Sequence, residues 1–389
     1  MKILTINAGS SSLKFQVIDS ETEKVLIKGH YDEIGRPTGI RTITTREKQI
    51  EKLVFKNHEK TISDVLELLI SKKIVNDLSE INTVAHRIVH GGEKYQDTLE
   101  LTEKNIKELN KLSFLAPLHN PINIKCIKIL KKMIPKIKHF GVFDTAFHST
   151  LSKEVFLYGL PIELYEKFKI RKYGFHGTSH KYVSSETARL MKKPIEKLKI
   201  ITCHLGNGQS ICAVKNGISI DTSMGFTPLE GLPMGTRSGS FDPEIVLFLL
   251  KKGYSKKNIK SMINKKSGLL GVSKISSDMR EIYAKYLKKD KSAELTINLL
   301  ANRILKIIGS YVAEMNGVDA IVFTAGLGES AFYIREKVLE KLEYLDLKLD
   351  IKKNRNNETL ITTNESKVKA FVIPTNEELQ MMRDVLDVV

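Results

Sequence analysis

Cysteine is scarce: Cys126, Cys203 and Cys212 are the only three among 389 residues. An odd number without Cys-x-x-Cys spacing excludes a disulfide framework and a zinc knuckle, and leaves reduced, mostly buried thiols as the expectation. Long apolar runs are also missing. No stretch approaches the roughly 18 consecutive apolar residues of a membrane span, and Met1-Lys-Ile-Leu-Thr-Ile6 turns polar at Asn7, too early for a secretory signal. A cytoplasmic chain with no membrane partner is expected. Acidic residues are in deficit, with 45 Asp and Glu against 62 Lys and Arg and a net charge of +17. Such a field attracts nucleic acid, anionic lipid or small anionic substrates alike. The lysines are scattered over helix-like segments such as 251–252, 256–257 and 265–266, without interleaved aromatics, so a solvated surface and no nucleic-acid partner are expected.

What is present fits an ordinary folded chain: 41% hydrophobic and 28% charged residues, close to globular averages and long enough for two domains. Residues 2–19 read as a hairpin, with a β-rich run, a Gly/Ser turn at 9–12 and an alternating strand. Residues 199–217 have the same layout, and a shift of 197 superposes Thr5 on Thr202, Gly9 on Gly206 and Val17 on Val214. That repetition at half the chain length points to duplicated domains. Between the hairpins the pattern predicts a helical region near 46–73, a strand at 83–89, a helix near 120–133 and a strand at 138–143. After the second hairpin it predicts a largely buried helix over 292–316, a buried strand at 320–324 and a glycine turn, Gly326 to Ser330, entering a helix near Ala331. The sum is mixed α/β with two similar lobes. No low-complexity linker separates them, so hinges are expected near 145–152 and close to Glu377, and a ligand in the cleft between. The 12 tyrosines and 15 phenylalanines read as core filling apart from Phe175.

Three glycine turns suit anions. Asn7-Ala-Gly-Ser-Ser-Ser-Leu-Lys14 packs glycine, three hydroxyls, an amide and a lysine into eight residues, the equipment for phosphate oxygens without Walker A spacing. Gly206-Asn-Gly208 stands at the equivalent place, and Gly326-Leu-Gly328 lacks the third glycine of a dinucleotide fingerprint. Histidines and arginines cluster at His86–Gly92, Leu118–Pro121, Phe143–His148, Tyr173–His180 and Gly235–Gly239. His176 and His180 have the spacing of metal ligands on a helix, but Gly177-Thr178-Ser179 looks like an N-cap that leaves His176 outside the helix, which makes zinc the weaker reading. Arg237 sits in a glycine-flanked loop, Pro233 to Gly239, with little reason to hold a guanidinium except to aim it.

Together these segments resemble the acetokinase family, a branch of the sugar kinase, Hsp70 and actin superfamily, over essentially the whole chain. The resemblance rests on Asn7–Lys14, His86-Arg-Ile-Val-His-Gly-Gly92, Phe143-Asp-Thr-Ala-Phe-His148, Tyr173-Gly-Phe-His-Gly-Thr-Ser-His180 and His204-Leu-Gly-Asn-Gly208. It continues through Met224-Gly-Phe-Thr-Pro-Leu-Glu-Gly231, Gly235-Thr-Arg-Ser-Gly239, Phe323-Thr-Ala-Gly-Leu-Gly-Glu329 and Thr375-Asn-Glu-Glu378. Leu327 and Ser330 are minor variations.

The resemblance implies two ribonuclease-H-like (actin-like ATPase) domains with the active site in the interdomain cleft. One lobe would be 1–148 with 378–389, the other 149–377. The implied reaction is reversible transfer of the ATP γ-phosphoryl to acetate, giving ADP and acetyl phosphate, with Mg²⁺, or Mn²⁺ in its place, and a homodimeric state. Arg87 and Arg237 would take the carboxylate and the transferring phosphoryl, His176 would donate to it, and Asp144 would orient an arginine or a metal-bound water. Asn7 and Glu377 would position the metal. Ser10, Ser12 and Lys14 would hold phosphate on one side, and His204, Leu205, Gly206, Asn207 and Gly208 on the other. Asp278, Met279, Arg280, Gly326, Leu327, Gly328, Glu329 and Ser330 match the adenosine pocket, while Val89, Leu118, Phe175 and Pro228 match the pocket for the substrate methyl. Two alternatives remain: propionate as acceptor, and a nucleotide-switched binding protein of the same superfamily.

Overall fold

The computed structural model describes all residues, Met1–Val389. By its internal contacts the chain divides into two compact units, Met1–Phe147 with Asn376–Val389, and His148–Thr375. Compared with the expected boundaries, His148, Asn376 and Glu377 change sides. His148 is held by Ser219 and the Phe175 carbonyl of the second unit. Asn376 caps the helix Glu377–Leu386, which packs on the sheet of the first.

The first unit contains strands β1 (Lys2–Ala8), β2 (Leu13–Asp19), β3 (Val25–Asp32), β4 (Ile40–Thr44), β5 (Lys48–Lys52), β6 (Ile81–Ile88), β7 (Leu99–Glu100) and β8 (Lys138–Phe143). Their order in the sheet is β5-β4-β3-β2-β1-β6-β8-β7. The first five form an antiparallel meander, β6 joins β1 in parallel and β8 joins β6 in parallel. On one face Leu4, Ile6 and Ala8 share a core with Ile62, Val65 and Leu69 of the helix His58–Ser71 and with Cys126 and Leu130 of the helix Asn120–Met133. The helix Glu377–Leu386 packs on β1, β2, β6 and β8.

The helical expectation near 46–73 fails in its first half. Residues 48–52 are exposed throughout, so no buried helical face exists there, and β4 supplies a neighbour that turns them into an edge strand. The helix begins only at His58, after Asn57, whose side chain accepts from the Lys60 amide, an N-cap that fixes the start.

The second unit repeats the plan with β9 (Lys199–Leu205), β10 (Gln209–Lys215), β11 (Ile218–Thr222), β12 (Ala320–Thr324) and β13 (Lys369–Val372), in the order β11-β10-β9-β12-β13. A hairpin meander again leads to parallel neighbours, β12 beside β9 and β13 beside β12. The shift of 197 maps β1 onto β9, but the second strands slip by one. Val17 pairs with Leu4, while Ala213, not Val214, pairs with Ile201. The turn at 206–208 is one residue shorter than the turn at 9–12, and a one-residue change moves every later side chain to the opposite face.

The 25-residue helix Lys291–Met315 starts where Asp290 caps the Ser292 and Ala293 amides and stops at left-handed Asn316. Its buried stripe, Ile297, Leu300, Ile304, Ile308 and Tyr311, recurs every three or four residues and packs with Cys203, Leu205, Ile211, Ile321 and Phe323, the pattern of a helix laid on a sheet. The helix Gly177–Met191 packs on β9 and β12. Residues 325–330, expected as a turn, form a one-and-a-half-turn helix, Ala325–Ser330, before the next begins at Phe332. No helix is long and apolar enough to cross a membrane.

Candidate active site

In the first unit the chemistry collects at the carboxyl ends of the interior parallel strands β1, β6 and β8. Asn7, Arg87 and Asp144 stand there side by side. Arg87 donates from Nε and Nη2 to the two carboxylate oxygens of Asp144 at 2.8 and 2.6 Å, and from Nη1 to Asn7 Oδ1 at 3.0 Å. The Asp144 amide in turn donates to the Ile88 carbonyl at 3.0 Å. Burial works against the Arg87 charge, but Asp144 and then Glu377 outweigh it and hold the guanidinium above its ordinary value. Burial also lifts the Asp144 carboxyl, which Arg87 opposes; with both oxygens accepting from the guanidinium, the ionised pair is the form that fits.

Lys14 faces Asn7 across the hairpin, and Ser10 and Ser12 lie in the turn that the Gly9 amide closes on the Ser12 carbonyl at 2.8 Å. Two residues without a role in the sequence reading support this turn. His58 Nε2 donates to the Gly9 carbonyl at 2.8 Å, and Asn123 Nδ2 donates to the Ala8 carbonyl at 2.8 Å. Both lie in the first turns of helices, His58–Ser71 and Asn120–Met133. Val89 is buried, while Leu118 is 71% exposed.

Glu377 opens the C-terminal helix beside Glu378. Burial raises the Glu378 carboxyl, and Glu377 adds to that rise. Asp144, Glu377 and Glu378 thus crowd the surroundings of Arg87 with negative charge. Oxygen donors such as Asn7 Oδ1 and the Glu377 carboxylate are the ligand chemistry of Mg²⁺ or Mn²⁺. No group of three or more His, Cys, Asp and Glu side chains is arranged to hold a metal, and a cation bound by one or two protein oxygens plus phosphate does not require one.

In the second unit β9 and β10 meet at Gly206-Asn-Gly208. The Gly206 amide donates to the Gly208 carbonyl at 3.0 Å and the Gly235 amide to the Asn207 carbonyl at 3.3 Å. A Cβ on Gly235 would fall 2.4 Å from Asn207 Oδ1, so a larger residue there would have to displace the Asn207 side chain. A cavity of about 660 Å³ opens beside this turn, lined among others by Gly206, Asn207, Asp278, Met279, Arg280, Gly326, Leu327 and Ser330. Tyr333 lines it too, its ring stacked on Tyr283 with centroids 3.7 Å apart, so one tyrosine read as core filling borders the cavity.

Leu205, Gly328 and Glu329 are not among the residues that line this cavity. Leu205 is fully buried in the core. The carbonyls of Gly328 and Glu329 accept from Arg335 Nη1 at 2.7 and 3.0 Å. Arg335, fully buried, also binds Asn354 and Asn357, and so anchors the helix that carries Gly326 to Ser330. An arginine in an amphipathic stretch reads as surface, which is why sequence overlooked it.

His176 sits immediately before the helix Gly177–Met191 in the left-handed conformation, φ 58°. His176 lies outside the helix, as expected, but the helix already starts at Gly177 and Thr178 and Ser179 do not cap it; the Ser179 hydroxyl lies 2.8 Å from both His204 Nδ1 and Thr375 Oγ1. The His176 ring stacks on His204 with centroids 4.2 Å apart. A Cβ on Gly208 would stand 3.3 Å from His176 Nε2 and 3.6 Å from Arg237 Nη1, so the glycine turn, this imidazole and this guanidinium converge. Both ring nitrogens of His180 are taken by Thr202 and Ser210.

Backbone bonds brace the Arg237 loop. Ser267 and Leu270 amides donate to the Thr236 and Gly235 carbonyls at 3.0 Å, and Ser238 donates to Ile263 at 2.9 Å. The Arg237 Nη1 donates to the Pro228 carbonyl at 3.0 Å. No carboxylate pairs with this guanidinium, and burial lowers its pKa. Phe175 is buried, and its carbonyl accepts from His148 Nε2 at 3.1 Å.

The sequence pattern described as the Acetokinase family matches residues 2–383. The chain belongs to the acetokinase family. Among curated proteins, the acetate kinase of Thermoanaerobacterium thermosaccharolyticum is 51% identical over 99% of this chain and 98% of its own length. That of Thermosipho melanesiensis is 49% identical over 100% and 98%. Among solved structures, Porphyromonas gingivalis acetate kinase superposes with a TM-score of 0.94 at 40% identity, covering 100% of this chain and 99% of that one. A propionate kinase from Francisella tularensis also reaches 0.94, at 39% identity and full coverage of both. These likenesses bear out the two ribonuclease-H-like, actin-like ATPase domains expected of an acetokinase-family member.

Proposed function

We propose that this chain transfers the γ-phosphoryl group of ATP to acetate, reversibly, giving ADP and acetyl phosphate. Acetate is an anion at neutral pH, so attack of a carboxylate oxygen on the γ-phosphorus calls for no general base. The obstacle is repulsion between two anions that must meet in line, and cations held in place remove it. Arg237 carries this reading: it is a braced guanidinium beside an imidazole and a phosphate turn, without a carboxylate of its own.

In the reaction Arg237 balances the charge growing on the transferring phosphoryl, and His176 donates to one of its oxygens. Arg87 takes the acetate carboxylate, and Asp144 keeps that guanidinium in plane and charged. Asn7 and Glu377 would supply oxygen donors to hold Mg²⁺ or Mn²⁺, which would offset phosphate charge. Ser10, Ser12 and Lys14 in one unit and His204, Gly206, Asn207 and Gly208 in the other position phosphates, while Leu205 anchors that turn in the core. Asp278, Met279, Arg280 and the segment Gly326–Ser330, including Leu327, Gly328 and Glu329, form the adenosine side, supported by the cavity that most of them line. Val89, Leu118, Phe175 and Pro228 receive the methyl group, with propionate as the poorer acceptor.

Purified protein incubated with ATP, Mg²⁺, acetate and hydroxylamine should form acyl hydroxamate only when acetate is present. No acetate-dependent product would refute the assignment and favour a nucleotide-switched binding protein. Family resemblance also supports a homodimer in the cytoplasm, and light scattering should give twice the 44.0 kDa of one chain.

A further inference from the structure

Behind His176 runs a row of side chains that the reaction above does not use. His176 Nδ1 lies 2.9 Å from Ser210 Oγ, Ser210 Oγ lies 2.7 Å from His180 Nε2, and His180 Nδ1 lies 2.7 Å from Thr202 Oγ1. Ser210, His180 and Thr202 are fully buried. They come from β10, from the first turn of the helix Gly177–Met191 and from β9. Burial, with His148 and His204 adding to it, pushes the His180 pKa well below its ordinary value, so this ring carries one N–H and one lone pair.

Each link in the row needs one hydrogen, so all three must point the same way. Pointing outward, the Thr202 hydroxyl donates to His180 Nδ1, His180 Nε2–H donates to Ser210 Oγ, and the Ser210 hydroxyl donates to His176 Nδ1. Every hydrogen then has an acceptor. Pointing inward, His176 Nδ1–H starts the row and the Thr202 hydroxyl ends it, and that last hydrogen has nowhere to go, because Thr202 Oγ1 bonds only to His180. A buried hydroxyl hydrogen without an acceptor is costly enough to bias the two directions by roughly tenfold or more.

We propose that Thr202, His180 and Ser210 are positioning residues that fix His176 as the tautomer protonated on Nε2, so that its outer nitrogen meets the phosphoryl oxygen as a donor. Reliance on His176 as that donor comes from the reading of the reaction given above. An imidazole that accepts at Nδ1 cannot become imidazolium without reversing the whole row. Reversal of the row thus opposes a positive charge on His176, and the arginines are the cations of the reacting centre. A single tautomer also avoids the loss of half the molecules to an outer nitrogen that would repel the phosphoryl oxygen with a lone pair.

Two-bond ¹H–¹⁵N correlation spectra of the whole protein labelled with ¹⁵N-histidine, with His176 assigned by comparison with His176→Asn, read the tautomer directly and without substrate. The Nε2–H pattern is expected at neutral pH, and the Nδ1–H pattern would overturn the proposal. Thr202→Val, which keeps shape and removes the hydroxyl, should give mixed tautomers and a kcat about twofold lower with KM values unchanged, while Thr202→Ser should restore both. A Thr202→Val protein with wild-type tautomer and kcat would overturn it as well. Failure of the transfer reaction itself shows separately, as an absence of hydroxamate from the wild-type enzyme, whatever the spectra record.

Discussion

Replacing Arg237 by alanine separates a residue that holds the fold from one that serves the reaction. In the resting protein the side chain makes one conventional hydrogen bond, to the Pro228 carbonyl at 3.0 Å, and has no counter-ion. A hydrogen bond from a charged donor contributes about 1.5–3 kcal/mol, but removing the side chain also relieves a cation whose pKa burial already lowers. These opposing contributions nearly offset each other. A residual of about 1 kcal/mol moves the melting temperature of a unit of this size by about 2–4 °C. The effect on catalysis is of another order, because loss of a cation aimed at a transferring phosphoryl lowers turnover by about 10³-fold or more, about 4 kcal/mol of barrier. Coupling ADP formation to NADH oxidation gives kcat, and calorimetry gives Tm. The reasoning is refuted if kcat stays within tenfold of wild type, or if it falls only in step with a collapse in Tm. Arg237→Lys, which keeps the charge but not the planar fork, should fall between the two.

Two further expectations concern specificity and pH. Val89→Ala enlarges the proposed methyl pocket, and one methylene is worth about 1–3 kcal/mol of discrimination, so kcat/KM for propionate should rise severalfold relative to acetate; an unchanged ratio would remove Val89 from the pocket. Burial holds His139 and His148 down to about 4, against 6.5 for an ordinary histidine, so the unfolded chain takes up these protons first. Their contribution is therefore intact above pH 6.5 and is lost as pH falls toward 4, at about 3 kcal/mol for each histidine over the full range. Urea midpoints should drop from pH 7.5 to pH 5, and equal midpoints would contradict this account.

Much of the candidate site was legible because phosphate chemistry depends on local backbone. Turns at 9–12 and 206–208 announce themselves by glycine and hydroxyl residues between β-rich runs, and an arginine between glycines in the loop 233–239 has few reasons other than aim. The residues that support them were not legible. His58 and Asn123 brace the first turn from helix starts far along the chain, Arg335 is a buried cation inside an amphipathic pattern, and Ser210 matters only because two imidazoles reach it from another element. The helical reading of 46–57 failed for a related reason, since an edge strand is decided by its neighbour.

By itself the sequence determined the duplicated α/β plan, the two glycine turns and the family, because strand alternation, turn residues and motif spacing are written in consecutive residues. Only the tertiary structure decided which side chains share a hydrogen bond, and how the second hairpin slips by one residue. It also decided that Arg87 is pinned to Asp144 and Asn7 while Arg237 is left without a carboxylate. Those outcomes depend on burial and on partners from distant segments, and a hydrogen bond or a lost hydration shell has no trace in the order of residues along one strand.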